Sequence, residues 1–207
     1  INSVKDFEGK TYAGWGAPSE EAVIKAVMNE AGADFSKLNI VGSDGSGIAG
    51  LSDEVGKNKV NLGWEFYGWA IIKAMQDGYD LNYMPLADLD SRLDYYTPVI
   101  ITNNKMIKKN SDTIKKFMEA TKKGYEYAID HPNKAAEILH DDALTDTDLK
   151  FLKESQKYLS SQYAKDADSW GVMKDSVWDN YTDFMYETGL IDHKIDAKDQ
   201  YTNEFVK

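Results

Sequence analysis

Two short stretches carry the residue types best suited to hold a small molecule. The first is Gly14-Trp15-Gly16-Ala17-Pro18-Ser19-Glu20-Glu21. A bare glycine turn here runs into a helix start, because Pro18 fits a first helical position and two acids suit the first turn. Unpaired N–H groups at Gly16–Ser19 can donate to a carbonyl or ring nitrogen. A carboxylate at Glu20 can accept from an amino group or a protonated ring nitrogen, and it repels an anion. Plain helix-start chemistry explains the same acids equally well. The second stretch is Trp64-Glu65-Phe66-Tyr67-Gly68-Trp69. Trp64 and Tyr67 offer flat faces for stacking and Glu65 a further acceptor, whereas Phe66 is expected in the core. Tyr95-Tyr96-Thr97-Pro98 adds two phenols where the pattern of the chain changes.

No constellation for catalysis stands beside these. His131, His140 and His193 lack the spacing that aims two rings at one metal. Asp141, Asp142, Asp146 and Asp148 lack the central glycine and closing Glu of a calcium loop, so helix capping is expected of them. Ser46 does not sit in a nucleophile elbow, and Gly42-Ser-Asp-Gly-Ser-Gly47 lacks the Gly-Lys-Ser/Thr of a phosphate loop.

The elements that must position these residues follow from the pattern. Lys10–Gly14, Leu38–Val41, Lys59–Gly63, Leu81–Met84 and Thr97–Thr102 read as five short strands. Helical stripes lie between them, Ala22-Val23-Ala26-Val27 ending at Gly32 and Phe66–Gln76 closing at Gly78. Alternation of this kind predicts a mostly parallel α/β sheet with ligands at the carboxyl ends of its strands. From Ser111 onward only helices are expected. Ser111 serves as a cap for the first, and Pro132 starts the second. Thr145 with Asp148 forms a weakened capping box for the third, and the last stops at Gly189-Leu190. Those helices have apolar faces and no sheet of their own to cover, so either they pack on one another or a sheet that belongs under them is missing, and the second is expected.

Composition narrows the partners. The 207 residues carry 35 acids against 24 bases, a net charge of −11, and Arg92 is the only arginine. That excess disfavours a nucleic-acid groove and an anionic membrane surface. A single guanidinium leaves little for clamping a phosphate. There is no cysteine, hence no disulfide or thiolate chemistry. No apolar stretch approaches a membrane span, and the chain starts at Ile1 with no signal segment. The residues alone point to an α/β module that binds a small, flat, neutral-to-cationic molecule.

Several motifs keep a familiar order: Asp6-Phe-Glu-Gly-Lys-Thr-Tyr12, Gly14-Trp-Gly-x-Pro-x-Glu-Glu21, Trp64-x-x-Tyr-Gly-Trp69, Asp94-Tyr-Tyr-Thr-Pro-Val-Ile-Ile-Thr102, Lys123-Gly-Tyr-Glu-Tyr-Ala-Ile129, Trp170-Gly, Val177-Trp178 and Tyr186-Glu-Thr-Gly-Leu-Ile191. Together they resemble the ThiY-type thiamine-pyrimidine-precursor binding proteins of ABC importers, within the broader family that includes fungal thiamine-pyrimidine synthases. The resemblance implies an α/β, periplasmic-binding-protein-like two-lobed fold of type II whose first lobe is incomplete in this chain. Residues 1–97 would be the second lobe, and 98–207 a return strand and the C-terminal helices of the first. It implies an extracytoplasmic receptor, as a cell-surface lipoprotein or in the periplasm, that hands a formylaminopyrimidine or hydroxymethylpyrimidine-like heterocycle to a membrane permease. No cofactor or metal and no nucleic acid is expected, and uncovered helices would favour self-association. Trp15, Trp64 and Tyr67 would stack on the ligand, Glu20 and Glu65 would accept from it, Gly16 to Ser19 would donate, and Tyr95 and Tyr96 would line the cleft near the hinge. Two features depart from the family pattern: Glu65, where relatives commonly carry an apolar residue, and the loop Gly42–Leu51. Riboflavin or another flat heterocycle is the alternative ligand. A synthase-like enzyme using pyridoxal phosphate is a further one, disfavoured because its cysteine-rich segment has no counterpart here.

Overall fold

Thr11–Gly14 (β1) alternates half-buried and buried residues, with Tyr12 and Gly14 turned inward. In the computed structural model, which describes residues 1–43, 48, 60–165 and 167–206, β1 is the centre of a parallel sheet. Asn39–Gly42 (β2) flanks it in the register Thr11 to Asn39 through Gly14 to Gly42. Leu62–Gly63 (β3) flanks the other side, Tyr12 facing Leu62 and Ala13 facing Gly63. All three strands therefore end in glycine along one edge, and the segments following them leave from that edge. Residues 44–47 of the loop expected at Gly42–Gly47, with Ser46, and the first residue of the third predicted strand, Lys59, lie outside the described residues.

The described residues divide into two compact units, Ile1–Asp94 with Tyr181–Lys194, and Tyr95–Asn180 with Ile195–Lys207. In the first, Pro18–Glu30 (α1) starts at its proline as predicted and buries Val23, Ile24, Val27 and Met28. These pack with Tyr12, Leu38, Leu93 and Phe184 into the main core. The Arg92 guanidinium lies 5.4 Å over the Phe184 ring and is held by Asp90 and Glu187, each at 2.6 Å. After β3, Tyr67–Ile71 winds as a π-turn into Ile72–Gln76 (α2). Ile71 and Ala74 bury against Ile48, with Tyr67, Ala70, Tyr79 and Leu81 around them. The short helix Leu86–Leu89 (α3) follows Pro85.

The second unit holds Asn104–Lys109 (α4), Ser111–Asp130 (α5), Pro132–Asp142 (α6), Leu149–Ser160 (α7), the first residues of Asp175–Glu187 (α8), and Ala197–Gln200 (α9). Helices α6 and α7 pack side by side, tied by Lys153 to Glu137 at 2.7 Å. The helix α4 was not anticipated; Asn103 caps it by accepting the Met106 N–H at 2.8 Å.

Four expectations are corrected. Leu81–Met84 is not a strand. The Asn82 side chain donates to Ile1 O at 2.6 Å and Asn2 Oδ1 at 3.0 Å, so side-chain bonds rather than a ladder hold this segment. Thr97–Thr102 is not a strand either. Pro98 has no N–H to give, no described strand pairs with the run, and Ile101 is 87% exposed. Ser111 is the first residue of α5 rather than its cap, Asn110 taking that place. Asp148, not Thr145, caps α7, accepting the Phe151 N–H at 2.7 Å. At the other end of the chain α8 stops as predicted. Gly189 takes φ +74°, its N–H meets Tyr186 O at 3.1 Å and the Leu190 N–H meets Met185 O at 2.8 Å.

Candidate functional site

The turn after β1 is built around Glu20. The cap residue of α1 is Ala17, which has no side-chain acceptor. The third helical residue does that work instead and reaches past the cap. Glu20 Oε2 accepts the Gly16 N–H at 3.0 Å, and Oε1 accepts the Trp15 N–H at 3.3 Å together with the Tyr12 hydroxyl. The carboxylate is 3% exposed, and no ion pair reaches it among the described residues. Burial and the Glu20 carboxylate push the Tyr12 phenol well above its ordinary range, so it stays protonated and donates. The glycine before the turn is required by this packing. A Cβ on Gly14 would stand 2.7 Å from Tyr12 Cε1 and 2.8 Å from Glu20 Cδ.

Glu20 lies in the interior of its own unit and holds the turn. The Gly16 N–H is committed to that carboxylate. Ser19 is exposed at the start of α1. What the arrangement presents outward is Trp15, which is 58% exposed and leans against Trp64, ring centres 5.3 Å apart at 57°.

Trp64 and Glu65 leave the end of β3 directly, so they stand at the same sheet edge as Trp15. Trp64 is half-buried against the main core. Glu65 is half-buried as well, with no hydrogen-bond or ion-pair partner among the described residues, and desolvation alone raises its carboxyl above the usual range. It lies close enough to Tyr12 to act on that phenol electrostatically. Tyr67 pairs with Tyr83, ring centres 5.0 Å apart at 56°. Phe66, expected in the core, is instead 69% exposed, because the π-turn that follows buries Gly68 and Ile71 in its place. Tyr12 and Tyr83 were not among the sequence candidates. Tyr12 could have been found from the inward phase of β1; nothing in the pattern marked Tyr83.

Tyr95 and Tyr96 belong to the second unit. The Tyr96 oxygen accepts the Lys174 N–H at 3.0 Å, and its ring lies 6.3 Å from Trp178. Trp178 in turn stacks on Tyr201 at 5.5 Å and 7°. Burial and Asp175, whose Oδ1 accepts the Tyr201 hydroxyl at 2.7 Å, push Tyr201 up to about 12. A groove of about 390 Å³ along α7 is lined by Asn133, Leu149, Lys150, Lys153, Glu154 and Lys157. It contains none of the site candidates and no aromatic ring.

The histidines make local contacts: His140 Nδ1 to Asp141 at 3.0 Å, His193 Nδ1 to Asp192 at 2.5 Å, and the His131 ring on Tyr127 at 4.8 Å. Among the described residues no group of three His, Asp or Glu side chains is placed to hold a metal ion. No described helix is long and apolar enough to cross a membrane.

The strand ends of this parallel sheet carry rings and a carboxyl with no partner among the described residues, and the carboxyl ends of such strands are where α/β sheets commonly hold ligands. Comparison with known proteins makes the class more particular. A family model described as NMT1/THI5 like matches residues 1–135, and the chain belongs to that family. It is 24% identical over 185 residues to the "Formylaminopyrimidine-binding protein" of Halalkalibacterium halodurans, a match that takes in 82% of this chain and 54% of that relative. The chain thus spans about half the length of the curated relative it matches.

Proposed function

We propose that this chain is part of an extracytoplasmic solute-binding protein that takes a thiamine-pyrimidine precursor, formylaminopyrimidine or a hydroxymethylpyrimidine-like compound, and passes it to an ABC permease. On this reading the protein is two-lobed, residues 1–97 forming one α/β lobe and 98–207, apart from the Tyr181–Lys194 segment packed with the first unit, contributing to the other, with the ligand between them. It binds and does not transform its ligand. The observation that supports this most directly is the strand-end cluster of Trp15, Trp64 and half-buried Glu65. Two rings offer stacking surface for a flat heterocycle, and the carboxyl offers an acceptor for its amino group. The printed name of the matched relative points to the same ligand class. A cell-surface lipoprotein or a periplasmic protein is the setting in which such a receptor works.

The experiment is a thermal melt of the complete gene product carrying this chain, alone and with formylaminopyrimidine, hydroxymethylpyrimidine or riboflavin. A ligand present at 100 times its Kd stabilises the native state by about 2.7 kcal/mol, which raises the midpoint. A rise with either pyrimidine is expected. A rise with riboflavin alone replaces the ligand class with a flavin, and no rise with any of the three overturns the reading.

A further inference from the structure

Two carboxyl groups stand at the ends of β1 and β3, and their surroundings differ. Glu20 takes two backbone N–H groups and a phenol. Glu65 takes nothing among the described residues while being half withdrawn from water. A carboxylate that loses hydration without gaining a donor is destabilised, and donors arriving with a ligand relieve this. Trp64 beside it, leaning on Trp15, restricts that ligand to a flat one.

The described cations of the same unit are placed elsewhere, and Lys194 among them pairs with Asp183 at 2.6 Å. Lys10 precedes β1, and Lys37 pairs with Glu8 at 2.7 Å before β2, both at the opposite edge of the sheet. Lys73 pairs with Asp77. Arg92 is held by Asp90 and Glu187. Lys5 lies in the N-terminal 3-10 turn and Lys25 is two turns into α1. None of these described groups is set beside Trp15 and Trp64 to neutralise an anion.

Resting on the function proposed above, we infer that Glu65 is the specificity-determining residue of this site: it selects flat heterocycles that bring an amino or protonated ring N–H, and it turns away their phosphate monoesters. A phosphate monoester carries about −1.5 to −2 charges at neutral pH, so it would meet Glu65 with Glu20 behind it and no facing cation among the described residues of this unit.

Calorimetric titration of the complete gene product with hydroxymethylpyrimidine and, separately, with its phosphate monoester tests this without a variant. The free compound is expected to bind about 100-fold more tightly than the ester. In Glu65→Gln, the amide keeps the size but loses the charge, and the ratio is expected to shrink at least about tenfold, through weaker binding of the free compound and stronger binding of the ester. An ester bound within about threefold of the free compound by the wild type overturns the inference and leaves the receptor reading in place, as does an unchanged ratio in the folded variant. If neither compound binds and riboflavin does, the pyrimidine reading fails first and takes this inference with it.

Discussion

The turns after β1 and β3 leave neighbouring parallel strands at one edge of the sheet, and each carries a tryptophan and a glutamate. They use these residues in opposite ways. After β1 the glutamate is internal: Glu20 gathers the Tyr12 hydroxyl and the Trp15 and Gly16 N–H groups, leaving Trp15 as the outward product. After β3 the tryptophan is the anchored member, packed on the core, and Glu65 has no donor among the described residues. Residue type alone does not separate a scaffold carboxylate from a recognition carboxylate. The number of donors already committed to it does.

That contrast breaks most readily at Glu20. Glu20→Ala strips the acceptor from three donors, one of them the buried Tyr12 phenol, and is expected to cost about 2–4 kcal/mol in urea unfolding. A loss below about 0.5 kcal/mol would show that the turn holds without its carboxylate and would erase the distinction. Tyr12→Phe sharpens it more gently. The ring stays in the core and only the O–H is removed, so about 1–2 kcal/mol is expected, and Trp15 fluorescence should report a loosened turn. The unfolding midpoint and the emission maximum should move together.

The same contrast explains which parts of the molecule could be read in the sequence. Local stereochemistry was legible: Pro18 starts α1, Gly189-Leu190 ends α8, and glycines close the described strands at Gly14, Gly42 and Gly63. These depend on a few residues and their own backbone. The strands expected at Leu81–Met84 and Thr97–Thr102 depend on a neighbour to pair with, which an apolar run cannot announce about itself. Aromatic composition placed Trp15 and Trp64 at the sheet edge, but not Phe66, whose exposure follows from the π-turn after it. The inward pull of Glu20 has a sequence signal. Ala17 cannot cap, so an acid three residues later is the nearest group able to do so.

The two units differ along the same line. The first surrounds its sheet with a core that includes Val23, Met28 and Phe184, essentially shielded from water. In the second, α5 buries no residue fully, and Phe117 and Tyr127 on α5 and Ile138 and Leu139 on α6 remain exposed. Ala136, Phe151 and Leu152 are buried there, and ring and polar contacts add to them, such as Tyr125 stacked 4.3 Å from Trp170 and the Asn203 side chain bonded to both the N–H and the C=O of Met173. An α/β unit closed around its own sheet can present a site at one edge. Helices with uncovered apolar faces present area in place of a defined site.

The smallest expected effect bears on Glu65 itself. Glu65→Gln removes a charge that has no partner among the described residues, so stability at neutral pH should stay within about 0.5 kcal/mol of wild type. The pH dependence carries the distinguishing sign. The folded Glu65 carboxyl titrates above its ordinary value of 4.5, so between that value and its folded one the native state holds more proton than the unfolded chain. Stability contributed by this group is therefore present at acid pH and declines as pH rises through that window. Asp90 does the reverse. Arg92 holds its carboxyl below the usual range, and its contribution is lost as pH falls. In the difference between wild-type and Glu65→Gln stability measured from pH 4 to 7, Asp90 and the other shared groups cancel, and wild type should lose ground to the variant as pH rises. A difference that runs the other way would mean that Glu65 has a donor in the folded protein, and the two turns would then be alike.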